Sequence, residues 1–143
     1  MGVVDVNNRV VGVITEVDGD YAIAMSLLHK DSRLSGKLFK GGETGTIVWS
    51  GEQPNILSLT NIPKNAKVAK GDSIITSGFS AFFPKGLLVG TIFKIRPETT
   101  SNNYQITFRS ATDFNNIEYV YAIESADAVP IKKLTDKAKA SIN

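Results

Sequence analysis

The sequence predicts an all-β protein made of two small β-barrel units. Short runs rich in Val, Ile, Thr and aromatic residues alternate with turn-forming residues along most of the chain. Helical periodicity is nearly absent before residue 125, and a short pattern of residues occurs twice, at 11 and at 89. The runs expected to form strands are residues 10–17, 21–28, 44–49, 73–76, 87–95, 104–108 and 117–123.

The pattern of apolar residues indicates how these strands are covered. Residues 104–108 alternate, with Tyr104, Ile106 and Phe108 on one face, which is typical of a sheet with one buried side. Residues 10–17 are apolar on both faces, which suits a strand covered on both sides or one that bends around a barrel.

The repeated pattern is V-G-x-I, found at Val11–Ile14 and again at Val89–Ile92. A glycine inside a strand usually marks a bulge or a sharp bend, as at the corner of a small barrel. We therefore expect two units of related design, at residues 3–62 and 63–125, joined through the polar stretch 61–72. If the second unit is inserted into the first, one of the last strands should pair beside residues 3–17.

Residues 126–143 are a Lys-rich tail, for which a returning strand, a short helix and disorder all remain open. The last thirteen residues hold four Lys and one Asp, so the rest of the chain has 16 − 4 = 12 basic and 14 − 1 = 13 acidic residues. A nearly neutral body lacks the basic surface that nucleic acid requires.

The composition also limits the possible chemistry. With no Cys, the chain has neither a disulfide scaffold nor a thiolate metal site nor a cysteine nucleophile. No apolar run approaches the roughly 20 residues that a membrane helix needs. We expect no cofactor, no metal and no small-molecule substrate.

A serine nucleophile is the strongest catalytic candidate. Ser80, in the run Gly78–Phe82, resembles half of a G-x-S-x-G elbow, but no βα pattern surrounds it. The single histidine, His29, lies in a charged turn, where a surface role is the ordinary one. A serine hydrolase of degenerate chymotrypsin-like fold, using Ser80 or Ser77 with His29, is kept as the alternative function.

Phosphate and metal sites have weaker support. Residues 41–45 and 70–73 are rich in glycine but lack the spacing of a phosphate-binding loop, so hairpin turns explain them better. Asp18 and Asp20 lack the remaining ligands of a calcium loop. Asp72 follows Gly71, and its carboxylate is expected to accept backbone N–H groups and fix the turn into the next strand.

Three phenylalanines crowd the loop after that strand. Phe79, Phe82 and Phe83 either plug a barrel end, which is the favoured interpretation, or form a surface that contacts a partner.

Residues 71–92, GDSIITSGFSAFFPKGLLVGTI, resemble the signature of the rod shape-determining MreC family, G-D-x-(V/I)-(V/I)-T-S-G-x-x-x-x-F-P-x-G-(L/I)-x-(V/I)-G-x-(V/I). The resemblance extends over residues 2–125, although Asp31 replaces the first residue of the family's N-S-R turn. The signature positions expected to have mainly structural roles are Gly71, Asp72, Thr76, Ser77, Gly78, Phe83, Pro84, Gly86 and Gly90.

The resemblance implies a non-catalytic scaffold of the cell-elongation machinery, which maintains cell shape by positioning peptidoglycan-synthesis enzymes. It implies two small barrels outside the cell membrane, anchored by an N-terminal helix that this sequence does not contain. The implied partners are a class B penicillin-binding protein and the membrane complex of MreD and MreB, and the full-length protein is expected to dimerise. Phe79, Ser80 and Phe82 are the candidate partner-binding residues.

Overall fold

The structure is a computed structural model that describes residues 1–79 and 82–123. These residues form β-strands, turns and irregular segments without a helix, so the predicted all-β class is confirmed. The strands are β1 (Gly2–Val4), β2 (Val10–Asp18), β3 (Tyr21–Ser26), β4 (Leu34–Leu38), β5 (Thr44–Val48), β6 (Ile56–Pro63), β7 (Ser73–Thr76), β8 (Leu88–Pro97), β9 (Asn103–Ser110) and β10 (Tyr121–Ile123).

Six strands close into a barrel in the order β4-β5-β6-β9-β8-β7. Neighbouring strands of the barrel are antiparallel. β4 closes the barrel by pairing with β7, with Gly36 opposite Thr76 and Leu38 opposite Ile74. Alternate residues point inward and fill the interior, as expected for a small barrel. The inward side chains that are almost fully buried include Leu38, Ile47, Leu57, Leu59, Ile74, Ile92, Ile106 and Phe108.

The other four strands form a sheet in the order β10-β1-β2-β3. The last described strand returns to pair with the first, with Gly2 opposite Ile123 and Val4 opposite Tyr121. This is the pairing expected if one unit is inserted into the other. One of the two predicted barrels is therefore present as the closed barrel. In the described part of the chain, the second unit is this four-stranded sheet.

Sheet membership divides the chain differently from the predicted units 3–62 and 63–125. The barrel takes β4, β5 and β6 from the first predicted unit and β7, β8 and β9 from the second. The physical reason is the β6–β9 ladder, which runs from the pair Ile56–Arg109 to the pair Pro63–Asn103 and so joins the two halves side by side.

The repeated V-G-x-I pattern corresponds to a repeated backbone structure. In β2, Val11 has no paired residue in β1, and Thr15 has no paired residue in β3. In β8, Val89 has no paired residue in β7, and Phe93 has no paired residue in β9. Both strands thus carry two bulges at equivalent positions, one on each side of the glycine, which confirms the predicted bends.

The sheet packs against the barrel through a shared core. Val4, Val10 and Leu27 of the sheet unit belong to the same buried cluster as the barrel interior. The buried Thr112 hydroxyl donates a 2.8 Å hydrogen bond to the Val10 carbonyl, which fixes the return of the chain from β9 toward the sheet.

The far end of the β2–β3 hairpin extends beyond this core. Glu16, Val17 and Asp18 of β2 are exposed, and so are Tyr21 and Ile23 of β3. In the described residues no helix is long and apolar enough to cross a membrane. The predicted tail, residues 126–143, lies outside the described residues.

Candidate functional site

The candidate site is the segment that connects β7 to β8, together with the turn that precedes β7. Gly71 has a φ of 91°, a value that L side chains rarely adopt, and its N–H donates to the Ile92 carbonyl at 2.8 Å. The buried carboxylate of Asp72 accepts a 2.9 Å hydrogen bond from the Ala69 N–H and lies 3.4 Å from the Lys40 ammonium. Asp72 therefore fixes the turn into β7.

Thr76 holds the two ends of the connecting loop together. Its buried hydroxyl donates to the Pro84 carbonyl at 2.6 Å and accepts from the Leu87 N–H at 2.9 Å. The Thr76 backbone N–H also donates to the Leu87 carbonyl, and the Gly86 N–H donates to the Thr76 carbonyl. Gly86 has a φ of 99°, which allows the chain to turn at this point.

Ser77 is a buried structural residue in this arrangement. Its hydroxyl donates to the Ser35 hydroxyl at 2.8 Å and accepts a hydrogen bond from the Phe79 N–H at 3.3 Å. His29 accepts a hydrogen bond from the Asp31 N–H through Nδ1 at 3.0 Å, within its own turn. The described residues therefore do not bring Ser77 and His29 into a nucleophile–base hydrogen bond. Ser80 lies outside the described residues.

The three phenylalanines have different environments. Phe83 is fully buried, and a Cβ placed on Gly2 would lie only 2.3 Å from its ring, so it plugs the barrel end against β1. Phe79 is 84% exposed, whereas Phe82 is 37% exposed. One phenylalanine thus has the inward position that the sequence favoured for all three, and Phe79 points outward.

The remaining signature glycines differ in how closely they are packed. A Cβ on Gly90 would lie 2.4 Å from both the Arg109 carbonyl oxygen and the Phe108 ring, so only glycine fits this contact between β8 and β9. Around Gly78 the nearest atoms belong to the Lys85 side chain, at 4.0 Å.

Two lysines that the sequence did not single out lie beside Phe79. Lys37 of β4 and Lys85 of the loop line the same cavity, and the proximity of Lys85 holds the pKa of Lys37 below its usual range. With Gly42, Thr44, Ser77, Gly78 and Phe79, they line an open cavity of about 270 Å³. No signal in a single sequence connects them, because only barrel closure places the loop after β7 beside β4.

No group of three or more His, Asp or Glu side chains in the described residues could hold a metal ion. The site offers instead the exposed ring of Phe79, the ammonium group of Lys85 on the connecting segment and the ammonium group of Lys37 on β4. The hydroxyls of Thr76 and Ser77 support the segment that carries Phe79 and Lys85.

Comparison with known proteins gives the family. The model of "Rod shape-determining protein MreC, barrel core" matches residues 1–124. The chain belongs to the MreC family. Its signature residues, Gly71 to Ile92, thus lie in the part of the chain that the family model covers.

Two curated relatives are cell shape-determining MreC proteins. The protein of Listeria monocytogenes is 26% identical over 123 residues, which is 82% of this chain and 41% of the relative. The protein of Streptococcus pneumoniae is 20% identical over 118 residues, which is 80% of this chain and 43% of the relative. The chain therefore spans about two fifths of the length of these relatives.

Solved MreC structures share the fold. The crystal structure of MreC from Pseudomonas aeruginosa has a TM-score of 0.73 at 22% identity, with 83% of this chain and 76% of that chain covered. MreC in a complex with the penicillin-binding protein PBP2 of Helicobacter pylori has a TM-score of 0.68 at 21% identity, with 83% and 73% covered.

Proposed function

We propose that this chain is the partner-binding, non-catalytic part of a cell shape-determining scaffold. Its role is to bind and position peptidoglycan-synthesis enzymes of the cell-elongation machinery. The observation that carries the proposal is the match of the MreC barrel-core model to residues 1–124. The partner that we propose first is a class B penicillin-binding protein.

Two further observations support this partner. The H. pylori MreC with which this chain shares its fold is in a complex with PBP2. In this chain the loop after β7 carries a phenylalanine that is 84% exposed, and its backbone is held by Thr76 and Ser77 from beneath. An exposed aromatic side chain next to hydrogen-bonded backbone is an efficient contact residue, because less conformational entropy is lost on binding.

The rest of the proposal follows the family. We place the protein on the outer side of the cell membrane, attached by a helix that precedes these residues, in a complex with MreD and MreB. We also propose that the full-length protein is a homodimer. Phe79, Ser80 and Phe82 remain the proposed contact residues.

The proposal includes the absence of catalysis. The hydrogen bonds of Ser77 to Ser35 and of His29 within its own turn support a structural role for both residues. A fluorophosphonate probe tests this directly. We expect no labelling, whereas stoichiometric labelling of one serine that is lost in His29→Ala would establish the serine hydrolase instead.

The binding test uses this chain and the class B penicillin-binding protein of the same genome, purified at full length in detergent. We expect Phe79→Asp to raise the Kd at least roughly tenfold, because a buried aromatic contact would be replaced by a charge. Tyr21→Asp is the matched control, since Tyr21 is 77% exposed but lies on the β2–β3 hairpin. Equal effects of the two variants would remove Phe79 from the interface, and no binding by the unmodified chain would overturn the proposed partner.

A further inference from the structure

We infer that Lys37 and Lys85 form an anion-binding site, here called the lysine clamp, which takes a carboxylate from an acidic segment of the partner protein beside Phe79. The inference rests on the proposed function and adds to it the chemistry of the partner's contact. It starts from the juxtaposition of two ammonium groups and one exposed aromatic ring at the same barrel end.

The positions of the two lysines are set by the fold. Lys37 lies opposite Ile75 and Thr44 in the β4–β7 and β4–β5 ladders, so it sits in the middle of three paired strands. Lys85 lies in the loop that Thr76 closes through Pro84 and Leu87. Both side chains are therefore attached to backbone that is held on each side.

The stems of the two side chains run over glycines. The Cε of Lys37 lies 3.7 Å from where a Cβ of Gly42 would be, and the Cβ and Cδ of Lys85 lie 4.0 Å from the corresponding point on Gly78. The small residues leave room for both stems to approach the same cavity, which Thr44 and Phe79 also line.

The charges of the clamp are not balanced by the described residues. The ion pairs in this part of the chain join His29 to Asp31 and Lys40 to Asp72, and neither involves Lys37 or Lys85. The two lysines carry like charges beside one cavity, and the proximity of Lys85 lowers the pKa of Lys37. An anion between the two ammonium groups would replace the repulsion between these like charges with two attractive, charge-assisted contacts.

The exposed ring of Phe79 indicates which class of molecule carries the anion. A carboxylate on a polypeptide comes with neighbouring side chains, and an apolar neighbour could cover a ring that is now 84% exposed. A phosphate on a polyol polymer of the cell wall would satisfy the lysines but leave the ring in water. The geometry therefore favours an acidic segment of a protein that contains an apolar residue next to its Asp or Glu.

The test compares two double variants with the same change in charge. Lys37→Glu with Lys85→Glu reverses the clamp, and Lys67→Glu with Lys70→Glu reverses two exposed lysines on the segment before β7. Binding to the full-length class B penicillin-binding protein is measured at low and at high ionic strength. Circular dichroism and thermal unfolding show that each variant is folded, and Lys37→Met with Lys85→Met provides a pair without new charges.

We expect the clamp variant to raise the Kd roughly 30-fold or more at low salt, because a charge is reversed within the contact. The control pair should change it less than about threefold, since it alters only the general field. As salt rises, the affinity of the unmodified chain should fall, that of the Lys37→Met with Lys85→Met pair should hardly change, and that of the charge-reversed pair should rise.

Three results would overturn the inference. Equal effects of the clamp and control pairs, with binding intact, would remove the clamp from the interface while leaving the proposed function standing. Loss of binding to isolated cell walls that carry anionic polymers, without loss of binding to the enzyme, would assign the clamp to those polymers. An unmodified chain that does not bind the enzyme would overturn the inference and the proposed partner together.

Discussion

Strands β2 and β8 have the same sequence pattern and the same two bulges, yet they end in different surroundings. β8 pairs with β7 only from Leu88 to Thr91, but its other partner, β9, is itself paired with β6, so the ladder continues around the barrel. β2 is paired with β1 at its start, but beyond Ile14 it continues with the edge strand β3 into a hairpin that is exposed on both faces. The local pattern therefore sets where a strand bends, and the partners on each side decide whether the bend closes a barrel.

This difference also separates two kinds of surface. The barrel end presents Phe79 and Lys85 on a segment that is held by hydrogen bonds of Thr76 and Ser77, with Lys37 beside them on β4. The β2–β3 hairpin presents exposed side chains on a two-stranded ribbon with little packing beneath it. Backbone that is already held by hydrogen bonds loses less entropy on binding, which is why the barrel end is the surface that we propose for the partner.

The largest expected effect concerns the residue that joins the two regions. Phe83→Ala would leave a cavity between the barrel core and Gly2 of β1, and it should lower the free energy of unfolding by about 3–5 kcal/mol. Phe79→Ala, at an exposed ring in the same loop, should change it by less than about 0.5 kcal/mol. Chemical denaturation measures both, and similar losses would show that the loop does not divide into an inward and an outward residue.

The second prediction compares the equivalent glycines of the two bulged strands. A Cβ on Gly90 meets the Arg109 carbonyl and the Phe108 ring, and β9 is held by β6 on its other side, so Gly90→Ala should cost about 2–4 kcal/mol.

A Cβ on Gly12 would lie 2.1 Å from the Met25 carbonyl oxygen, but β3 is an edge strand that can move away. Gly12→Ala should therefore cost less, about 1–2 kcal/mol. Urea unfolding of both variants gives the order, and a larger loss at Gly12 would contradict the role assigned to barrel closure.

The third prediction tests the loop closure beneath Phe79. Thr76→Val keeps the shape of the side chain but leaves the Pro84 carbonyl and the Leu87 N–H without their partner, at a cost of about 1–3 kcal/mol. Hydrogen exchange at the Leu87 amide should accelerate. Ser77→Ala is the comparison. It should lower the free energy of unfolding by less than Thr76→Val does, because Ser35 is only partly buried and can bond to water instead.

The smallest effect is a pH dependence at the turn that leads from β9 back to the open sheet. Hydrogen bonds from the Asn116 side chain and from the Asn115 N–H hold the pKa of Asp113 below its ordinary value of 3.8. Because the folded pKa is the lower one, the stabilisation is present above the unfolded pKa and is lost as pH falls through the folded pKa. The difference in Tm between the wild type and Asp113→Asn should be constant near neutral pH and shrink in acid.

The sequence predicted the class, a small barrel and the bends, but not which strands close the barrel. Alternation and the V-G-x-I pattern are local, so the strands around Val11 and Val89 could be assigned. β4 was not among the predicted strands, because Leu34–Leu38 is short and interrupted by Gly36. It is nevertheless the strand that closes the barrel by pairing with β7. The predicted strand at 117–123 is reduced to Tyr121–Ile123, because only these residues find a partner in β1.

The same limit applies to the site. Asp72 and Gly71 act on their own turn, so their roles follow from adjacent residues. Phe79 and Phe83 are both phenylalanines in the same loop. Only the packing of β1 against the barrel determines which ring is buried and which is exposed. Lys37 and Lys85 meet because β4 pairs with β7, which no local pattern reports.

Hydrogen–deuterium exchange of this chain, with and without the full-length class B penicillin-binding protein, tests the account most directly. We expect slower exchange in the segments 36–45 and 77–87, which carry the lysine clamp and Phe79, and unchanged exchange in the β2–β3 hairpin. Protection confined to the hairpin, or no protection anywhere, would contradict the assignment of the barrel end as the surface that binds the partner.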